Sequence, residues 1–231
     1  MAKRSISWKE NKVISVETRR GLFVLAQMLR DPYIRFYNTF QTNEDWKSID
    51  LKNCKTLFTV TVTRQFLKCS NISYIKEVQA DIDREDLSIW IHQKDGFREI
   101  KVWPKTELEK EFIILGSEPG GDLVEKDIWW QPTSKNPTRN HPSGVFDSLL
   151  KKDIPLDADD IINKYELTNL STYPGLNERL YLCNLLNKNV NPYKDLVFDK
   201  EISLDYKVAI DIISTKGDIE EKERILNTFF R

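Results

Sequence analysis

The stretch GLFVLAQMLRDPYIRFYNTF, residues Gly21 to Phe40, decides how this chain is read. Leu22 to Leu29 is apolar on both parities apart from Gln27, the mark of an element enclosed on two sides. Leu, Ala and Met would also suit a buried helix. The shortness of the run, with Gly21 before it and Asp31-Pro32 after it, favours a strand. Proline fixes its own φ and pushes the preceding residue away from helix, so Arg30-Asp31-Pro32 marks a turn. Beyond it Ile34, Phe36 and Phe40 alternate with Arg35, Tyr37 and Thr39, which predicts a half-buried strand. The two segments form a hairpin at the centre of a core.

Working outward, TLFTVTVTRQFL (Thr56 to Leu67) is the clearest strand signal. Phe58, Val60 and Val62 share one parity and Thr59, Thr61 and Thr63 the other, and β-branched side chains suit a pleated surface. LSIWIHQ and FREIKVWP are separated by Lys94-Asp95-Gly96, and Asp-Gly between alternating runs predicts a hairpin. EFIILG adds a short strand. Residues 10–116 therefore read as an antiparallel, strongly twisted sheet or small barrel. From Gly116 to Gly144 the chain carries four prolines and four glycines, an irregular connection with one short strand or turn around Leu123 to Trp130. Beyond Gly144 the periodicity turns helical. Asp157 reads as an N-cap ahead of Asp160 and the stripe Ile161, Ile162 and Tyr165. Leu176, Leu180, Cys183 and Leu186 share a helix face, and Asp218 with Glu221 resembles a capping box for a last helix. The expected class is α+β: a β-rich core over residues 1–130, with a connecting loop and helical annex over 131–231 packed on it as one unit.

Composition bounds the function. The 231 residues are 40% hydrophobic and 31% charged, enough for a packed core. A net charge of -1 argues against bulk electrostatic binding of nucleic acid. No apolar run approaches the ~20 residues of a membrane span. The basic start MAKRSISWKENK has no apolar segment after it, so it does not read as a signal peptide. Cys54, Cys69 and Cys183 are odd in number and widely spaced, as expected of reduced thiols in a cytoplasm. Charge is uneven. Residues 1–60 hold 11 Lys and Arg against 6 Asp and Glu, and residues 61–131 hold 10 against 14. The densest acidic stretch is ADIDREDLSIW, where Asp81, Asp83, Glu85 and Asp86 face only Arg84. With the adjacent pair Trp129-Trp130, it is the candidate partner-binding face: charge of one sign steers association, and exposed tryptophan anchors interfaces.

Signals for chemistry are few. His92 and His141 are the only histidines, and the cysteines have no paired spacing, so the usual zinc ligand sets cannot be assembled. GSEPGGD has glycines but lacks the Gly-Lys-Ser/Thr ending of a phosphate loop. No Gly-x-Ser-x-Gly elbow occurs. No catalytic residue, metal site or cofactor is expected.

SWKENKVISVETRRGLFVLAQML, TLFTVTVTRQFL, KVWP and EFIILG together resemble the immunity protein 26 family of bacterial polymorphic toxin systems, a group with a sister carrying a phosphotriesterase label. LNERLYLCNLLNKNVNPYKDL is similar to the longer members. The shared features are an early Trp-Lys start, a Gly-aromatic strand ending near Met28 and the later Leu57-Phe58 strand. The resemblance implies a β-rich N-terminal part and a protective, non-catalytic role: binding and neutralising a cognate toxin protein in the cytoplasm. An acidic face would suit the basic active site of a nuclease toxin. The alternatives are a phosphoester hydrolase and a nucleic-acid-binding or regulatory β-barrel module.

Overall fold

A computed structural model describes residues 6–19, 21–85, 88–126, 148–215 and 219–228. The class is α+β, with sheets dominating the N-terminal half and helices the C-terminal part. Contacts divide the chain into two compact units that interleave in sequence. The first comprises Met1–Arg84, Leu170–Pro192 and Ser203–Arg231, the second Glu85–Asn169 and Tyr193–Ile202.

In the first unit the opening stretch forms β2 (Leu22–Met28) and β3 (Tyr33–Gln41), preceded by β1 (Val13–Arg19) and followed by β4 (Thr56–Val62). A short helix α1 (Arg64–Cys69) leads to β5 (Ile72–Ile75), and much later β11 (Leu170–Ser171) returns to the same sheet. The strand order is β11-β4-β3-β2-β1-β5, antiparallel except for the parallel β11–β4 contact. The sheet is therefore open, with β5 and β11 at its edges, and the barrel alternative does not form. β2 is central, as the two-sided apolar run predicts. Three details differ from expectation. Tyr33 to Tyr37 are all buried, so β3 is not half-buried there. Thr59 and Thr61 of β4 are buried as well as Phe58, Val60 and Val62. The strand also stops at Val62, because Thr63 caps α1, its side chain accepting from Phe66 N.

The reason for two-sided burial is that both faces are covered. One cluster packs Val13, Leu25, Tyr37, Trp46, Leu51 and Val78. Phe36 meets Phe58 and Phe66 at ring distances of 5.3 and 6.5 Å. α3 (Gly175–Leu185) lies against β1. α5 (Lys207–Ser214) and α6 (Ile219–Thr228) pack together through Val208, Ile212 and Leu226. Asp218, the expected cap of this last helix, lies outside the described residues.

The second unit holds β6 (Ile89–Gln93), β7 (Phe97–Val102), β8 (Lys110–Leu115), β9 (Gly121–Glu125) and β10 (Ser148–Lys151). The hairpin expected at Lys94-Asp95-Gly96 is not formed. β6 pairs with β9, whereas β7 pairs with β8. Gly96 does take a positive φ of 90°, but the turn leads the chain out of one sheet into a separate ribbon. The ribbon continues past the strands, with Gly116 N donating to Gly96 O and Ser117 N to Asp95 O. α2 (Asp159–Lys164) begins after Ala158 with no side-chain cap, so Asp157 is not the N-cap. Ile91, Ile154, Ile162, Leu167, Val197 and Phe198 form this unit's core, the last two from and just after α4 (Pro192–Val197). No helix among the described residues is long and apolar enough to cross a membrane.

Candidate functional site

The acidic stretch spans a point in the sequence where the chain passes from the first unit to the second, between Arg84 and Glu85. Its members part company. Asp81 is only 4% exposed and its carboxylate accepts from Arg84 Nε at 2.7 Å. Arg84 donates further to Cys54 O, Leu51 O, Lys52 O and Thr56 Oγ1, and sits over the Tyr37 ring. Arg35 donates to the carbonyls of Asp81 and Arg84. Tyr37 Oη and Asp81 N both donate to Gln27 Oε1, at 2.8 and 3.0 Å. Burial pushes the Tyr37 phenol up, so it stays a neutral donor. Residues 81–84 are thus a strap pinned onto the sheet, and the charge of Asp81 is spent inside. Asp83 remains exposed, paired with Lys52 at 2.7 Å, and Glu85 is exposed. Asp86, Trp129, Trp130 and His141 lie outside the described residues.

A second polar concentration escaped the sequence reading. Asn177, Glu178 and Arg179 open α3 and all three are buried. Glu178 accepts from Arg19 Nε and Nη2 at 2.8 and 2.5 Å, and the Arg19 guanidinium lies 3.7 Å from the Tyr181 ring centre. Asn177 donates to Glu17 O and accepts from Ser70 Oγ. Arg179 stacks on Phe58 and donates to Val190 O. Burial drives the Glu178 carboxyl above its ordinary range even against the pull of Arg19. Tyr173 nearby is pushed up to about 12, by burial first and then by Glu223, Cys69 and Glu17. Perturbed titration of this kind accompanies many active sites. Here Glu178 is fully enclosed with both oxygens occupied, so it clamps α3 to β1 and presents nothing to a substrate. The one-face pattern of α3 hid this, because a helix enclosed on several sides buries residues off its apolar stripe.

The β7–β8 ribbon is different, because it offers side chains to solvent. Cross-strand partners on its outer face are Phe97 with Leu115, Glu99 with Ile113 and Lys101 with Glu111. Phe97, Ile113 and Leu115 are 70%, 68% and 44% exposed. Lys101 pairs with Glu111 at 3.1 Å at the far end. The inner face carries Val102, Phe112 and Ile114, all buried. Arg98 fixes the ribbon, donating to Leu196 O and Val197 O at 2.8 and 3.0 Å and to Glu118 O at 2.9 Å. Trp103 Nε1 donates to Ile202 O. A rigidly held ribbon with adjacent large apolar groups outside and ions beside them has the make-up of an interface patch. The sequence signal was present: Phe97 shares its parity with Glu99 and Lys101, and Ile113 and Leu115 share theirs with Glu111.

Among the described residues no group of three or more His, Cys, Asp or Glu could hold a metal ion. His92 Nδ1 lies 3.2 Å from Thr168 Oγ1, a contact within its own unit. Residues 3–202 match a family described as a domain of unknown function (DUF8309), and the chain belongs to that family. No curated protein and no solved structure matches it.

Proposed function

We propose that this member of a family of unknown function is a binding protein without catalysis: an immunity protein that occludes a cognate toxin, of nuclease type, in the cytoplasm. The observation that carries the reading is the outer face of the β7–β8 ribbon, where Phe97, Ile113 and Leu115 stand exposed beside Glu99, Lys101 and Glu111. Large apolar groups kept in water on a well-anchored element gain most when a partner covers them. The likeness to immunity proteins supplies the kind of partner. Exposed Asp83 and Glu85 support a role in steering a basic surface toward the protein.

The test is surface plasmon resonance against the product of the neighbouring gene, with a growth-protection assay beside it. Phe97→Asp and Ile113→Asp should leave folding intact and raise the dissociation rate at least about tenfold, as expected of interface anchors. Asp83→Lys with Glu85→Lys should instead lower the association rate and weaken its salt dependence. If both ribbon variants bind and protect like the parent, the ribbon is not the interface. Metal-dependent phosphoester turnover by the purified protein would favour the hydrolase reading instead.

A further inference from the structure

We propose that the fork at the end of the β1–β5 ladder is a binding site for a small organic phosphate. The two strands pair from Val16 opposite Ile72 to Val13 opposite Ile75, and then part. One arm stays with β2: Asn11 N donates to Met28 O at 2.8 Å and Met28 N to Lys12 O at 2.9 Å. The other arm turns inward, burying Val78 in the core before Asp81 N reaches Gln27. Between the arms lies a groove of 480 Å³. That volume falls in the range of about 300–1,000 Å³ typical of small-ligand sites.

The lining is chemically divided. Val13, Ile75, Val78 and Ala80 supply an apolar floor. Lys9 and Lys12 approach from one arm and Lys76 from the other, and all three are exposed. No carboxylate lines the groove, and none of the three lysines forms an ion pair among the described residues. The Lys9 ammonium lies 5.0 Å from the centre of the Tyr74 ring, which also lines the groove. Three like charges around one concavity repel each other and concentrate anions. No arginine lines it, so the planar fork that binds carboxylates and phosphates alike is missing, and recognition of an anion falls to the lysines. Ammonium groups act as point charges, which suit a compact, multiply charged phosphate. The floor then accepts an apolar or planar remainder of the same molecule. This site is independent of the toxin reading: it lies in the other unit from the ribbon and would stand if that reading failed.

Isothermal calorimetry on the full chain is the test, with a nucleoside monophosphate, a sugar phosphate, inorganic phosphate, the neutral nucleoside and a single-stranded oligonucleotide as probes. At least one organic phosphate should bind one to one, at least about tenfold tighter than inorganic phosphate or the nucleoside. Lys12→Gln and Lys76→Gln should each weaken it about tenfold, the worth of one charge-assisted contact. Melting curves check that these exposed substitutions leave the fold intact. Shifts of the Val13, Ile75 and Ala80 amide resonances in the unaltered protein locate the ligand without any variant. The proposal is overturned if no organic phosphate binds, if only inorganic phosphate or the oligonucleotide binds, if binding ignores both substitutions, or if the shifts fall elsewhere.

Discussion

Arg84 shows how much one side chain can decide. It neutralises the nearly buried Asp81 and satisfies carbonyls at Leu51, Lys52 and Cys54. Removing one partner of a buried pair leaves the other charge stranded, at a cost of about 3–5 kcal/mol. Arg84→Ala should therefore lose about 3 kcal/mol in urea denaturation, and Arg84→Lys should recover little, since an ammonium cannot span those acceptors. A loss under about 1 kcal/mol would show that the strap is not anchored as described. Glu178 gives a pH-dependent counterpart. Its carboxyl is raised in the fold by burial, so the folded state holds the proton more tightly than the unfolded chain. Stability from this group is present below its unfolded pKa and falls as pH rises through the folded value. Relative to Glu178→Gln, the parent protein should lose ground as pH rises above the ordinary glutamate range. The opposite slope would mean that the Arg19 ion pair outweighs burial. Neither residue was legible as an anchor. Arg84's acceptors are mostly backbone carbonyls about thirty residues away, and sequence displays charge without displaying what encloses it.

At the scale of elements, what could be read was whatever burial writes at a fixed period. The two-sided run Leu22 to Leu29 and the alternation of β4 both became strands of one sheet because their neighbours are close in sequence. The failure at Lys94-Asp95-Gly96 has the complementary cause. A local turn signal reports backbone geometry, and Gly96 has it, but pairing is decided by which apolar faces meet. β6 found β9 some thirty residues on, and there Gly121 matters. A Cβ built on it would stand 2.7 Å from His92 O and 3.0 Å from Ile91 Cγ2. Gly121→Ala must push β6 and β9 apart, and overpacking of this kind costs about 1–3 kcal/mol. Amide exchange should quicken first along β6 and β9 in the variant. Unchanged exchange together with an unchanged melting temperature would show that the strands approach less closely.

For the whole molecule, the informative fact is that the first unit is completed only after the chain has built most of the second. β11 and α3 follow residue 169, and the sheet they join was begun at Val13. No pattern along the sequence announces such a return, because each segment's periodicity describes its own faces and none names the segment that will cover them. The consequence can be tested by truncation after Asn169. That removes Leu176, Leu180 and Leu182, each buried, along with the Glu178 clamp on Arg19 and the cover that Arg179 gives Phe58. Burying one such leucine is worth about 1.5–3 kcal/mol, so three approach the ~5–15 kcal/mol that holds a whole domain. It also removes Val197 and Phe198 from the core of the second unit. Residues 1–169 should therefore show no cooperative thermal transition and little amide dispersion, although they contain nearly every strand. A fragment that melts cooperatively with a dispersed spectrum would show that the sheet is stable without α3, and that the buried Asn177-Glu178-Arg179 face is an addition to the fold instead of a condition for it.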